Sequence, residues 1–405
     1  MEQGIVESRK DLKRNKIIST VRYNEMISRH EVKKRTGYSM TTVLNTINDL
    51  IEKRLLVEED CDSVRVGRRP TWLHICPDGQ YFIGVEFNAD SLNCVVVDFA
   101  FQVIFSVNDR LYSTDTPESI LEKIEAAIRR ALDFVGEDKS KILGIGLGLP
   151  GYVNKEKGLG VEYAYINGWR NIPIQRMIEE KFGYKVIIEN NINTMTIAYR
   201  WMEYGERADD FVLLSMKYGL RMGMIIGNKL YSGNNGTAGE IGHVRLVNGY
   251  RYCSCGKKGC LDTEASFKAI KTKIIERMEC GYFADIKEMV QGDMDRFSMS
   301  MFVESALQGN PDSVDLMKET AVYLGESLAM ALAAINPKQV IIASKSGMGG
   351  EVFSNMVYGV IQDSVPSALI ENFSVKCIKA QDNIGAVGAA MMIMENEYQV
   401  AQEEV

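Results

Sequence analysis

The densest chemistry in this 405-residue chain lies in the run Gly239-Glu240-Ile241-Gly242-His243 and the cysteine cluster Cys253-Ser254-Cys255-Gly256-Lys257-Lys258-Gly259-Cys260. One imidazole is followed by thiols ten, two and five residues further on, a donor set suited to a closed tetrahedral zinc site. All four positions are filled by protein, so the ion has no open position for catalysis and its part is structural. The alternative is a plain cluster of buried cysteines. Glu240 shares a Gly-flanked turn with His243. A carboxylate beside a ring fixed by metal can accept hydroxyls of a polyhydroxy ligand; as an alternative, Glu240 only caps a helix. With one ring nitrogen on the metal, the other is an oriented donor for a ligand or a neighbouring carboxylate.

These residues need a large frame. A chain of this length is too long for one core and suits two or three domains. Hydrophobic content of 46% and charged content of 25% are ordinary for a water-soluble chain. No apolar run approaches the roughly 20 residues that span a bilayer, and residues 1–16 lack an apolar signal core. Cys61, Cys76, Cys94, Cys280 and Cys377 follow no framework spacing and read as free thiols of a reducing cytoplasm. The 21 methionines read as core filler. Net charge is −7, but residues 1–72 carry fifteen Lys/Arg against eleven Asp/Glu, which leaves −11 for the remainder. A basic head on an acidic body points to a polyanion met by the head alone.

Residues 12–75 read as three helices and a two-stranded wing. Leu12, Ile17, Ile18 and Val21 mark the first helix. Ser28 and Glu31 have capping-box spacing for a second that runs to Thr36, with Gly37 as the turn. Ser39 caps a third, reaching about Lys53, whose apolar face is Val43, Ile47, Leu50 and Ile51. Its other face presents Thr41, Thr42, Asn45 and Asn48, short polar groups of the kind that reach base edges in a major groove. Strands at Leu55–Val57 and Thr71–Ile75 flank a polar stretch and a basic tip, in which Arg65, Arg68 and Arg69 suit phosphates or a narrow minor groove. The expected contacts to double-stranded DNA are therefore Ser39, Thr41, Thr42, Asn45, Asn48, Arg65, Arg68 and Arg69. A small helical protein-interaction domain is the alternative. His30 and His74 are expected to be a surface helix residue and a strand residue, and Lys33-Lys34-Arg35 is either solvated or phosphate-facing.

From Tyr81 the pattern becomes three strands (81–87, 91–97, 103–111), a helix at about 117–135 and a buried strand at 142–149. A similar meander opens a second half at 211–216, 223–226 and 229–231. A helix at about 313–335, a strand at 340–343 and a last helix at 385–394 follow. Periodicity supports two related α/β lobes.

The head residues Ser28-Arg29, Thr36-Gly37-Tyr38-Ser39, Thr42-Val43 and Gly67-Arg68-Arg69 resemble the DNA-binding head of repressors in the ROK family (repressors, open reading frames, kinases). The resemblance continues through Gly144–Val153, Gly168-Trp169, Glu189-Asn190-Asn191-Ile192-Asn193, Gly239–His243 and the cysteine cluster, in family order over nearly the whole chain. It implies an N-terminal winged helix-turn-helix (α+β, residues 1–75) ahead of a two-lobed α/β actin-like ATPase fold, the fold of sugar kinases. Its lobes would span residues 80–200 and 201–405, meeting at a cleft, with the final helix able to return to the first lobe. It further implies zinc on His243, Cys253, Cys255 and Cys260, and a monosaccharide on Asn190, Asn191, Glu240, His243 and Asp262.

Departures from the kinase pattern carry the functional expectation. Where family kinases have Asp-x-Gly-Gly-Thr, this chain has Glu86-Phe87-Asn88-Ala89-Asp90. Backbone N–H groups approach phosphate only where side chains allow it. The second glycine turn reads Lys217-Tyr218-Gly219-Leu220-Arg221-Met222-Gly223 and the third Ala343-Ser344-Lys345-Ser346-Gly347. The kinases' catalytic aspartate corresponds to Asn191, an amide that bonds a hydroxyl but is no base near neutral pH. Asp262 stands where the family usually has Glu, one methylene shorter, so that a water bridge to the sugar is needed. The expectation is a cytoplasmic, sugar-responsive, DNA-binding regulator of carbohydrate genes. It acts as a repressor in the usual family direction, works as a homodimer or dimer of dimers, and is not an enzyme. The alternatives are a zinc-containing sugar kinase with a regulatory head and an adaptor whose body binds a protein. Xylose, glucose and an N-acetylated hexosamine stay open as the sugar.

Overall fold

The computed structural model describes residues 9–24, 26–60, 71–205, 208–217, 219–245 and 249–398. It separates the chain into two compact units, one of residues 1–207 with 383–405 and the other of residues 208–382.

The first unit begins with α1 (Arg9–Arg22), α2 (Arg29–Thr36) and α3 (Met40–Glu52). Ile17, Ile18, Val21, Val32, Val43, Ile47 and Leu50 are buried together with Leu56 and Leu73, so the apolar stripes of three short helices make one small core. Ser28 takes the N–H of Glu31 (3.2 Å), half of the expected capping box. Glu31 instead offers its carboxylate to Arg35 (3.2 Å), a closer charged partner on the same helix face. The strands β1 (Leu56–Asp60) and β2 (Thr71–Ile75) pair antiparallel, so β1 runs into the acidic stretch that sequence places in a loop. Glu58 explains the longer strand. Its carboxylate receives Arg29 in a bidentate fork (2.8 and 2.6 Å) and the Thr71 hydroxyl (2.6 Å), and these bonds tie β1 to α2 and β2.

The rest of this unit is built on a five-stranded sheet. Strands β3 (Tyr81–Phe87), β4 (Ser91–Asp98) and β5 (Val103–Arg110) form an antiparallel meander. Helix α4 (Pro117–Val135) starts at a reciprocal Thr116–Ser119 cap with Pro117 in its first turn, and buries Ile120, Ile124, Ala127, Ile128 and Ala131 along one stripe. Strand β6 (Ile142–Leu149) adds in parallel to β3. A small sheet of β7 (Tyr152–Asn154), β8 (Leu159–Glu162) and β9 (Arg170–Ile172) and helix α5 (Ile174–Phe182) lead to β10 (Val186–Asn190), parallel to β6, and to α6 (Asn191–Glu203). The strand order is β10-β6-β3-β4-β5. β3 is buried along its length, as a central strand covered on both faces must be, whereas β5 alternates at the edge.

The second unit repeats that order. Strands β11 (Phe211–Met216), β12 (Leu220–Ile226) and β13 (Lys229–Leu230) make an antiparallel meander. The helices α7 (Asp262–Ala265), α8 (Phe267–Met278), α9 (Ala284–Met289), α10 (Met299–Leu307) and α11 (Pro311–Ile335) come next. Then β14 (Gln339–Ser344) joins β11 in parallel, and α12 (Glu351–Ser364) leads to β15 (Ser374–Lys379), parallel to β14.

The sequence reading runs the second lobe to residue 405 while allowing its final helix to return to the first lobe. The last helix, α13 (Ile384–Tyr398), is buried around most of its circumference and lies in the first unit against β3, β6 and α6. Its run of Gly and Ala allows backbone approach to Gly84 and Gly146 of those strands, a fit no bulkier helix could make. Among the described residues no helix is long and apolar enough to cross a membrane.

Candidate functional site

In the second unit the chain after β13 folds a short 3₁₀ turn, Ile241–His243, and then a knuckle. Gly239 has φ 91°, and a Cβ there would strike the Met222 carbonyl, so only glycine lets the turn approach β12. The knuckle is closed by Cys253 N–H to the Lys257 carbonyl (2.8 Å) and Gly256 N–H to the Cys253 carbonyl (3.0 Å). Bridges join Tyr252 with Lys258 and Arg245 with Cys260. Arg251 fastens it to α8 through a bidentate bond to Glu276 (2.7 and 2.6 Å).

This places one donor atom each of His243, Cys253, Cys255 and Cys260 within 4.8 Å of one another. Cys253 Sγ is 3.6 Å from His243 Nδ1, and Cys255 Sγ is 3.6 Å from Cys260 Sγ. A tetrahedron with metal–sulfur bonds of about 2.3 Å has edges of roughly 3.7 Å, so four protein donors fit one ion. Burial works to raise the Cys255 thiol, but the Lys257 N–H and the neighbouring thiols outweigh it and lower the pKa, whereas burial pushes Cys260 up to about 12. As ligands the cysteines would bind as thiolates, whose negative charge a metal cation would offset. The cluster can hold a metal ion.

With Nδ1 turned to the thiols, His243 directs Nε2 toward Glu240 (3.8 Å from Oε2). The other Glu240 oxygen receives the Arg221 guanidinium from β12. Arg221 is a residue the sequence reading did not single out as functional. Its signal is a lone cation in the otherwise apolar strand Leu220–Ile226. Asp262, expected to meet sugar through a water, also has a partner in the backbone. Its Oδ1 accepts the Leu220 N–H (2.6 Å), which holds the start of β12. Burial raises its pKa, against the Leu220 N–H and the charges of His243 and Arg221.

In the first unit the Glu-Asn-Asn run straddles the β10–α6 junction. Asn190 is the cap of α6: its Oδ1 takes the Ile192 N–H (3.1 Å) and its Nδ2 donates to the Gly151 carbonyl (2.5 Å). Both ends of this buried amide, expected to meet sugar, are engaged with backbone. Asn191 begins the helix and is half-buried. Its direction follows from Glu86. That buried carboxylate receives Asn88 Nδ2 (2.6 Å), Asn88 therefore offers its Oδ1 to Asn191 Nδ2 (2.7 Å), and Asn191 is left with its carbonyl oxygen as an acceptor. The residue that spoils a phosphate turn in sequence thus orients an acceptor. Asn190 and Asn191 belong to the first unit and Glu240, His243 and Asp262 to the second.

On the head, Thr41, Asn45 and Asn48 are exposed and Thr42 is half-exposed along α3. Ser39 is the helix cap, taking the Thr42 N–H (3.2 Å) and meeting its hydroxyl (2.9 Å). Asn48 accepts Arg29 Nη1 (2.8 Å), which leaves its amide NH₂ facing outward as a donor. Arg65, Arg68 and Arg69 lie outside the described residues. His30 is an exposed helix residue and His74 a strand residue beside Glu59 (3.4 Å).

The ROK family pattern matches residues 82–396. The chain belongs to the ROK family. A xylose repressor of Caldicellulosiruptor bescii is 28% identical over 380 residues, covering 94% of each chain. A crystal structure of a ROK family transcriptional regulator, a homologue of the E. coli MLC protein, superposes with a TM-score of 0.81 at 19% identity over 97% of this chain and 99% of its own. A ROK glucokinase from Streptomyces griseus, solved with glucose and AMPPNP, gives a TM-score of 0.67 at 27% identity over 77% of this chain and 98% of its own. This ROK protein therefore shares the two-lobed, sugar-kinase-like fold of its relatives. It carries about a quarter of its length beyond what the kinase matches.

Proposed function

We infer that this ROK protein is a sugar-responsive transcriptional repressor that binds a monosaccharide in its kinase-like body without phosphorylating it. The observation that carries the reading is α3. Its apolar side, Val43, Ile47 and Leu50, is fully buried, and its polar side, Thr41, Asn45 and Asn48, is left to solvent. A helix so mounted, on a basic head beside a two-stranded sheet, suits a major groove. The repressor match covers 94% of this chain, enough to take in most of the head, and the kinase match 77%. Arg65, Arg68 and Arg69 would form the wing contact to phosphate, and a homodimer, or a dimer of dimers, would set two heads on a pseudo-palindromic operator.

Zinc is the ion we propose for the His243–Cys253–Cys255–Cys260 cluster, since one imidazole and three thiolates match its preferred donors. Bound there, it fixes the His243 ring so that Nε2 and the Glu240 carboxylate stand ready for hydroxyls. Within the first unit, Asn191 offers a hydroxyl acceptor. An amide there forgoes proton abstraction, which is worth about 10²–10⁴-fold in rate.

Mobility shifts with duplexes from the protein's own locus test the reading. The expected result is sequence-selective binding that weakens with salt and changes on addition of one member of a panel of D-xylose, D-glucose and N-acetyl-D-glucosamine. Binding indifferent to sequence would refute it, and so would sugar-dependent ADP formation in a coupled assay.

A further inference from the structure

The head rests on the first unit through the last turn of α1. Arg22 Nη2 donates to the Phe99 carbonyl (3.0 Å), and its guanidinium lies over the rings of Phe99 (4.7 Å to the centroid) and Phe101 (4.2 Å). Phe101 turns the β4–β5 hairpin with φ 67° and meets Trp201 edge-on (5.1 Å). Trp201 is in the last turns of α6, and its indole N–H donates to Glu395 of α13 (2.6 Å), which also pairs with the fully buried Arg200 (3.0 Å). The Tyr23 ring packs so near Gly205, just beyond α6, that a Cβ there would overlap it.

The same helix starts at Asn190 and Asn191. Thirteen residues make a rod of about 20 Å, with the hydroxyl acceptor at one end and the seat of the head at the other. The rod cannot slide alone. Gly388 of α13 meets the Thr194 carbonyl so closely that any side chain would collide, so α6 and α13 shift as one packed block. A cation stacked on two rings is sensitive to such a shift, since its attraction depends on lying over the ring face.

Building on the proposed function, we infer that the seat of Arg22 on Phe99, Phe101 and the α6–α13 block is the surface through which sugar at Asn191 alters the head's hold on DNA. Arg22 is a positioning residue and touches neither ligand. The step is a change of packing at a half-buried interface between two parts of one chain.

The test uses the full-length protein. DNA affinity is read by fluorescence anisotropy with and without the sugar of the same panel that raises the wild-type melting temperature, and sugar affinity by calorimetry. Wild type should show a DNA-affinity ratio of about tenfold between the two states, the lower part of the usual allosteric range. Arg22→Leu and, from the other side of the seat, Phe101→Leu should keep sugar affinity and sugar-free DNA affinity within about threefold while the ratio falls below about twofold; Arg22→Lys should restore most of it. Either leucine variant suffices if the other does not fold. A wild-type ratio of one sinks the repressor reading and the seat with it. A tenfold wild-type ratio retained in the leucine variants sinks the seat alone, as does a leucine variant that folds but loses DNA binding without sugar.

Discussion

The two units share one strand order, β10-β6-β3-β4-β5 in the first and β15-β14-β11-β12-β13 in the second, yet they hold their polar side chains in opposite ways. In the first, a buried carboxylate, Glu86, orders two neutral amides in series, Asn88 and then Asn191. In the second, charge does the ordering: Arg221 holds Glu240, and four donors converge on a place for a metal ion. The first arrangement needs only the sheet and the helix that carry it. The second lies on a loop whose four donors could surround a metal ion. A repeated backbone thus leaves the source of order at each site free to differ.

That contrast can be broken most forcefully by metal removal. Structural zinc in small domains contributes apparent binding energies of about 10–16 kcal/mol near pH 7. Chelation, or Cys260→Ser, should therefore abolish hydrogen-exchange protection over residues 239–262 while leaving β3, β6 and α6 protected. Equal loss in both units would show that the loop is not separately supported. A smaller effect is expected from Asn191→Asp. Two acceptors then face each other unless Asn88 turns over, and turning sets its oxygen against Glu86, at a cost of about 1–3 kcal/mol. Calorimetry should show lower stability, and a coupled assay should still show no ADP formation, because the glycine turns stay altered. Gain of kinase activity would mean that the phosphate apparatus is intact. Smallest is Glu240→Gln, which keeps the shape, weakens the charge-assisted bond to Arg221 and should reduce sugar affinity by about tenfold. An unchanged sugar titration would remove Glu240 from the effector residues.

How much of this was legible in the sequence follows from distance along the chain. The His243–Cys260 donors fall within eighteen residues, so their spacing alone declares them. The same is true of α3, where a rhythm of four and three residues separates Val43, Ile47 and Leu50 from Thr41, Asn45 and Asn48. The Asn88–Asn191 bond spans 103 positions, and nothing local marks it. Asn88 reads in sequence only as a glycine lost from a turn. Asn190 looks like a ligand contact because its amide could serve one, and only its neighbours Ile192 and Gly151 reveal that the helix and the turn use it first. The Gly/Ala pattern of α13 identifies a helix in intimate contact with something, but the strands it matches lie about 240 to 300 residues away, so its return to the first lobe came only from the family resemblance and its partners Gly84 and Gly146 from the structure.

The most direct test of the whole account is an anisotropy titration of a labelled duplex from the protein's own locus, run with the effective sugar in the presence and absence of ATP. A sequence-selective complex whose affinity shifts about tenfold with sugar, identically with and without nucleotide, is the predicted result. A sugar effect that appears only when ATP is present, or no selective complex under any condition, would contradict a sensor that binds sugar without phosphorylating it.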